Sequence, residues 1–160
     1  MYELRCQMVA PVSILEAFEV FENPYNLARI TPPWLNFRVT SKENVRMREG
    51  ARIDYAIRWM RLPLRWRTLI TEYEPPNSFV DEQEKGPYTR WRHRHTFTEA
   101  LGGTLVEDVV RYSLPLGLLG VAAHDMVVGR QLRRIFEFRQ EALRAIWGGG
   151  EVTPPSISVR

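Results

Sequence analysis

The chain is 160 residues long, 44% hydrophobic and 26% charged, with a net charge of +3. That composition suits one globular domain with a sizeable core and excludes a disordered chain. No apolar run is long enough to cross a bilayer, and so modest a net charge argues against a dedicated nucleic-acid binder.

Nearly all the positive charge is arginine, with Lys42 and Lys85 the only lysines. The single cysteine, Cys6, has no internal partner and lies in a strand-like alternation, where it reads as a small buried hydrophobe. The N-terminal MYELRCQMVAPV has neither a basic n-region nor a long apolar stretch. No secretory signal is visible there, and a reducing, cytoplasmic setting is expected.

Residues 1–9 read as a strand. Ser13 and Glu16 have capping-box spacing, and Phe18, Val20 and Phe21 give the following helix an apolar side. Asn23-Pro24 breaks it, and Tyr25 to Ile30 make another short helix before Thr31-Pro32-Pro33 stops any helix. From Trp34 to Leu114 strands alternate with turns at Glu49-Gly50, Arg61-Leu62-Pro63, Pro75-Pro76-Asn77, Gly86-Pro87 and Gly102-Gly103. The clearest alternation sets Ile53, Tyr55, Ile57 and Trp59 against Arg52, Asp54, Ala56 and Arg58, one face buried and one wet.

Beyond Pro115 the period becomes helical. Val121, Val128, Leu132, Ile135, Phe136, Leu143 and Ile146 form one stripe, opposite Arg130, Arg133, Arg134 and Glu137. A helix from about Gly120 to Trp147 would be roughly 40 Å long. Gly148-Gly149-Gly150 ends it, and residues 148–160 are expected to be a flexible tail. With no internal repeat or linker, residues 1–147 read as a single domain. The fold class expected is α+β, a helix-grip arrangement. A seven-stranded antiparallel sheet curves around the long C-terminal helix, with two short helices after the first strand and a cavity between the layers.

The chain resembles the SRPBCC or START-like superfamily, the birch-pollen-allergen fold. The resemblance runs from Ala10-Pro11 to Ile146 and is sharpest in Trp66-Arg67-Thr68-Leu69-Ile70-Thr71-Glu72-Tyr73-Glu74-Pro75-Pro76 and Phe79-Val80-Asp81-Glu82-Gln83. It continues in Gly86-Pro87-Tyr88, Trp91-Arg92-His93-Arg94-His95-Thr96-Phe97, and Gly103-Thr104 with Asp108, Tyr112, Pro115 and Gly117. These segments resemble a bacterial ligand-binding subgroup related to cyclase/dehydrase and coenzyme-Q-binding proteins. The resemblance implies the fold; the activity must be argued from the site, because this fold hosts lipid carriers, cyclases and binders alike.

There is no phosphate-binding glycine loop, CxxC pair, HExxH or nucleophile elbow, so no cofactor is expected. Strand parity turns Tyr55, Trp59, Trp66, Ile70, Trp91, Phe97, Val106 and Val110 toward the helix, and with them Glu72, His93, His95, Asp108 and Tyr112. A β-bulge would invert some of these assignments. Tyr55, Trp59, Trp66, Trp91, Phe97 and Tyr112 are thus the expected border of a ligand pocket.

Arg65, Arg67, Arg90, Arg92 and Arg94 fall on the outer face, where Glu82, Glu84 and Glu107 on nearby strands offset them. A solvated charged face is expected there, not a nucleic-acid platform. Arg139 sits inside the apolar helical stripe and must find a partner, either a sheet carboxylate or an anionic group on a ligand.

His93 and His95, with Asp108 and Glu72, have three readings. A satisfied polar network ranks first and proton transfer second; metal binding ranks last, and no metal is expected. Two functions follow. The first is binding or carriage of a small hydrophobic molecule such as a lipid, isoprenoid, quinone or polyketide. The second is a cyclase/dehydratase-type enzyme using the same histidines and carboxylates. Neither nucleic acid nor stable membrane insertion is expected, and no sequence feature decides between a monomer and a homodimer.

Overall fold

The computed structural model describes residues 1–41, 45–59, 62–115 and 127–159. Strand β1 (Tyr2–Ala10) leads into helix α1 (Ile14–Glu22). The Ser13 side chain accepts from the Glu16 backbone N–H, and the Glu16 carboxylate accepts from that of Ser13, so the expected capping box closes. Two short 3-10 turns follow, Pro24–Ala28 and Pro33–Leu35, each opened by the proline that ends what precedes it. Strand β2 (Arg38–Val39) is brief. The meander then runs through β3 (Arg52–Trp59), β4 (Leu62–Glu74), β5 (Ser78–Lys85), β6 (Arg90–Ala100) and β7 (Gly103–Ser113).

Helix α2 (Gly129–Trp147) packs Leu132, Phe136 and Leu143 inward and leaves Arg130, Arg133, Arg134 and Glu137 exposed, as the stripe requires. Gly148, at φ +73°, closes its C-terminus in the left-handed region that suits glycine. The expected helical stretch from Gly120, including Val121, lies outside the described residues up to residue 126.

Among the described residues the sheet has eight strands, ordered β2-β3-β4-β5-β6-β7-β1-β8, all paired antiparallel. Seven of them are the strands expected. The eighth corrects the expectation of a flexible tail: β8 (Glu151–Val159) pairs along β1. Pro154 and Pro155 cannot donate to a ladder. On an edge strand that defect is tolerated, and here the pairing steps from Gln7–Thr153 to Arg5–Ser156, leaving both prolines in the irregularity. Gln140 of α2 fastens the junction, its Nε2 donating to the Gln7 carbonyl at 3.0 Å and the Thr153 carbonyl at 2.8 Å.

Two core clusters flank a space between sheet and helix. At one end α1 seats Phe18 and Phe21 against Phe79 and Phe97. At the other, Val128, Leu132 and Phe136 meet Leu4, Cys6, Val110 and Tyr112.

Candidate functional site

Where the two layers do not meet, a cavity of about 420 Å³ remains. Its sheet wall takes Tyr55, Ile57 and Trp59 from β3, Leu64, Trp66 and Thr68 from β4, and Trp91, His93 and His95 from β6. Its helix wall takes Val128, Leu132, Ile135, Phe136 and Arg139 from α2. Alternation explains the sheet side, since every second residue of each strand faces the helix.

Tyr55 stacks on Trp66 with ring centroids 5.8 Å apart, and Trp91 stands edge-on to Trp66 at 5.4 Å. The polar atoms of this stacked pair end on one hydroxyl. Trp66 Nε1 donates to Thr68 Oγ1 at 3.2 Å, and Tyr55 Oη lies 3.3 Å from the same oxygen.

Of the expected border, Tyr55, Trp59, Trp66 and Trp91 line the cavity; Phe97 and Tyr112 do not. Both point to the concave side, but other elements cover them. Phe97 is sealed beneath α1 by Phe18 and Phe21, and Tyr112 stacks against Tyr2 of β1 at 5.5 Å. Parity gives the face of a residue, not what packs over it.

The polar end of the cavity is built on adjacent strands. Register pairs Asp81 with His93 across β5 and β6, and His95 with Asp108 across β6 and β7. The hydrogen bonds run diagonally, His93 Nε2 to Asp108 Oδ1 at 2.9 Å and His95 Nε2 to Asp81 Oδ2 at 3.1 Å. His93 Nδ1 lies 3.5 Å from Asp81 Oδ2. His95 Nδ1 is 2.8 Å from Asp108 Oδ1 but is not aligned for a hydrogen bond, so this contact acts through charge. Both imidazoles are only 4% exposed.

Burial alone would keep all four groups neutral; the pairing reverses that for three. Burial opposes ionisation of Asp108, but the hydrogen bond from His93 and the close contact and charge of His95 outweigh it and hold its carboxyl well below the usual range. Asp81 is also lowered, burial being overcome by the charges and hydrogen bond of the two histidines. Burial pulls His95 down, yet its contacts with Asp108 and Asp81 raise it above its ordinary value. His93 is lowered, first by burial and then by the neighbouring His95. One imidazole thus favours its protonated form and the other its neutral form.

Glu72 does not belong to this group, which corrects the parity expectation. The β4–β5 register shifts between Ile70 and Glu72, and this bulge turns Glu72 to the outer face, where it accepts from Arg92 and Arg94. Asp81 takes the inward position instead. Its sequence signal was the parity it shares with Phe79, masked by the neighbouring Glu82 and Glu84. On the outer face Arg67 pairs with Asp54 at 2.7 Å, Arg92 with Glu82 at 3.0 Å and Arg52 with Glu84 at 2.9 Å.

Arg139 reaches the same polar end. Its Nη1 is 3.8 Å from Asp108 Oδ1 and its guanidinium lies 4.9 Å over the Phe136 ring. Asp81, His93 and His95 present ligand-type atoms within 4.8 Å of one another, the one such cluster with metal-binding potential among the described residues. Chemically the arrangement can hold a proton between paired imidazoles and carboxylates, and present donors to a molecule in the cavity.

A curved antiparallel sheet gripping a long helix around an apolar cavity defines a helix-grip protein. The profile of the family described as "Polyketide cyclase / dehydrase and lipid transport" matches residues 10–144, and the chain belongs to that family, of SRPBCC type. No curated protein matches the chain. Among solved structures it is similar to protein CV1439 from Chromobacterium violaceum, with 12% identity, TM-score 0.71, and coverage of 91% of this chain and 96% of that one. Protein Ms6760 from Mycobacterium smegmatis shares 19% identity at TM-score 0.64, covering 90% and 92%. The major latex-like protein 151 of Panax ginseng shares 12% at TM-score 0.67, covering 91% and 96%. At these identities the likeness is one of fold. Among the described residues no helix is long and apolar enough to cross a membrane.

Proposed function

We propose that the protein binds and carries one small hydrophobic molecule, such as a lipid, isoprenoid, quinone or polyketide, between its sheet and α2. The observation that supports this reading is the cavity itself, about 420 Å³ walled chiefly by aromatic and aliphatic side chains. Protein interiors pack closely, and an apolar void of this size weakens a fold unless something fills it. A ligand that removes apolar wall from water gains about 25 cal/mol per Å² on each surface. Family membership, which spans lipid transport, supports the same reading. The paired arginines of the outer face favour a solvated surface over a nucleic-acid platform, and the setting proposed is cytoplasmic, without a cofactor or membrane insertion. Native mass spectrometry of gently purified protein tests the reading. A bound apolar mass at one per chain is expected; ligand-free protein that also takes up no apolar molecule would refute it.

A cyclase or dehydratase activity is the second reading. What favours it is that His93, His95 and Asp81 lie on the cavity wall, within reach of a bound molecule. It requires that His95→Gln bind an identified substrate normally and lose its turnover.

A further inference from the structure

Building on the binding reading above, we infer that the ligand is an apolar molecule carrying a neutral carbonyl oxygen at one end, received by the Arg139 guanidinium.

Arg139 forms part of the cavity wall, yet its buried Nε and Nη1 have no hydrogen-bond partner among the described residues. Its neighbouring carboxylate does not meet this need. Asp108 Oδ1 is 3.8 Å away, beyond hydrogen-bond reach, and already accepts from His93 Nε2 at 2.9 Å with His95 Nδ1 at 2.8 Å. Buried N–H groups without acceptors are rare and costly, so a buried guanidinium beside a cavity calls for an acceptor from the ligand. Trp66 and Tyr55, on the facing sheet wall, make no such demand, because both spend their polar atoms on Thr68.

Charge then selects the kind of acceptor. Asp81 and Asp108 are held ionised, His93 favours its neutral form, and Arg139 is always cationic. With His95 protonated the cluster is neutral, and with His95 neutral it carries one negative charge. A ligand carboxylate would leave a buried excess of negative charge in either case, facing Asp81 on the same wall. A carbonyl brings an acceptor and no charge.

Three compounds on one ring system separate these cases: fluorene, 9-fluorenone and fluorene-9-carboxylate. Their affinities for the wild-type protein and for Arg139→Met are measured by displacement of a polarity-sensitive dye. The ketone is expected to bind the wild type about tenfold tighter than the hydrocarbon, as one hydrogen bond to a charged donor allows, with the carboxylate weaker than the ketone. Arg139→Met should abolish the ketone's advantage over the hydrocarbon, the ratio of their affinities falling to about one. The infrared carbonyl stretch of bound fluorenone should move to lower frequency than in alkane solvent, a wild-type readout that stands even if the variant misfolds. Equal affinities of ketone and hydrocarbon, or an unshifted stretch, would overturn the inference while leaving the binding reading intact. Tightest binding by the carboxylate would overturn the neutral end group. Failure of the ketone to displace a dye that the protein does bind would likewise overturn the inference, whereas only a protein that takes up no dye at all would lose the binding reading with it.

Discussion

His95 and Asp81 meet across the β5–β6 pair, His95 Nε2 lying 3.1 Å from Asp81 Oδ2 at the polar end of an otherwise apolar cavity. One flank of this pair is sealed by Phe79, whose ring stacks on His95 at 4.2 Å, and the other by His93 at 3.8 Å. The pair is therefore shielded from bulk water yet forms part of the wall a ligand would touch.

Asp108 anchors both imidazoles from behind, so Asp108→Ala strips two buried rings of their carboxylate. The loss expected is about 3 kcal/mol of unfolding free energy in urea titration, the scale of breaking a buried charged pair. A loss under about 1 kcal/mol would show that the network contributes little.

The two histidines predict opposite slopes of stability with pH. His95 is raised above 6.5 in the folded state, so its contribution is full below pH 6.5 and fades as pH rises through its folded value. His93 is lowered, so the unfolded chain takes up its proton first and stability falls as pH drops below 6.5. Asp81 and Asp108 add stability above about pH 3.8 that is lost on further acidification. In urea titrations from pH 3 to 9, His95→Gln should flatten the alkaline decline and His93→Gln the decline just below 6.5. Unchanged curves in both variants would refute the assignment.

Gln140→Ala removes two hydrogen bonds that hold α2 to β1 and β8. Stability should fall by about 1–2 kcal/mol. Amide exchange should quicken along residues 151–159, with β6 and β7 unaffected; uniform exchange changes would contradict a local fastening role.

Glu72 lies on the outer face, 39% exposed, with Arg92 and Arg94. Glu72→Gln should change stability by less than about 1 kcal/mol and leave binding of an apolar dye unaltered. A marked loss of binding would return Glu72 to the pocket.

Much of the fold was legible because its signals are local. The Ser13–Glu16 box, the alternation of β3 and the stripe of α2 each follow from a short period or a short spacing. The same reading brought His93, His95 and Asp108 together, because residues two apart on a strand share a face. What it missed depends on long-range register. One extra residue near Thr71 removed Glu72 from the site, and nothing in the local pattern marks where a bulge falls. Phe97 and Tyr112 face inward as expected, but whether helix, strand or void covers them is decided by elements far away in sequence. The β8 strand was hidden because two prolines mark a breaker in isolation, whereas a sheet edge accepts them.

The central claim is that the space between sheet and α2 is a binding site, and filling it tests this most directly. Ile135 lines the cavity from the helix, so Ile135→Trp should occupy part of it. Titration of a polarity-sensitive apolar dye into folded wild-type protein should saturate at one dye per chain and be reversed by lipids or quinones. In an Ile135→Trp variant of native circular dichroism, affinity should fall by tenfold or more. Equal dye affinity in the two folded proteins, or no saturable binding to the wild type, would contradict the account.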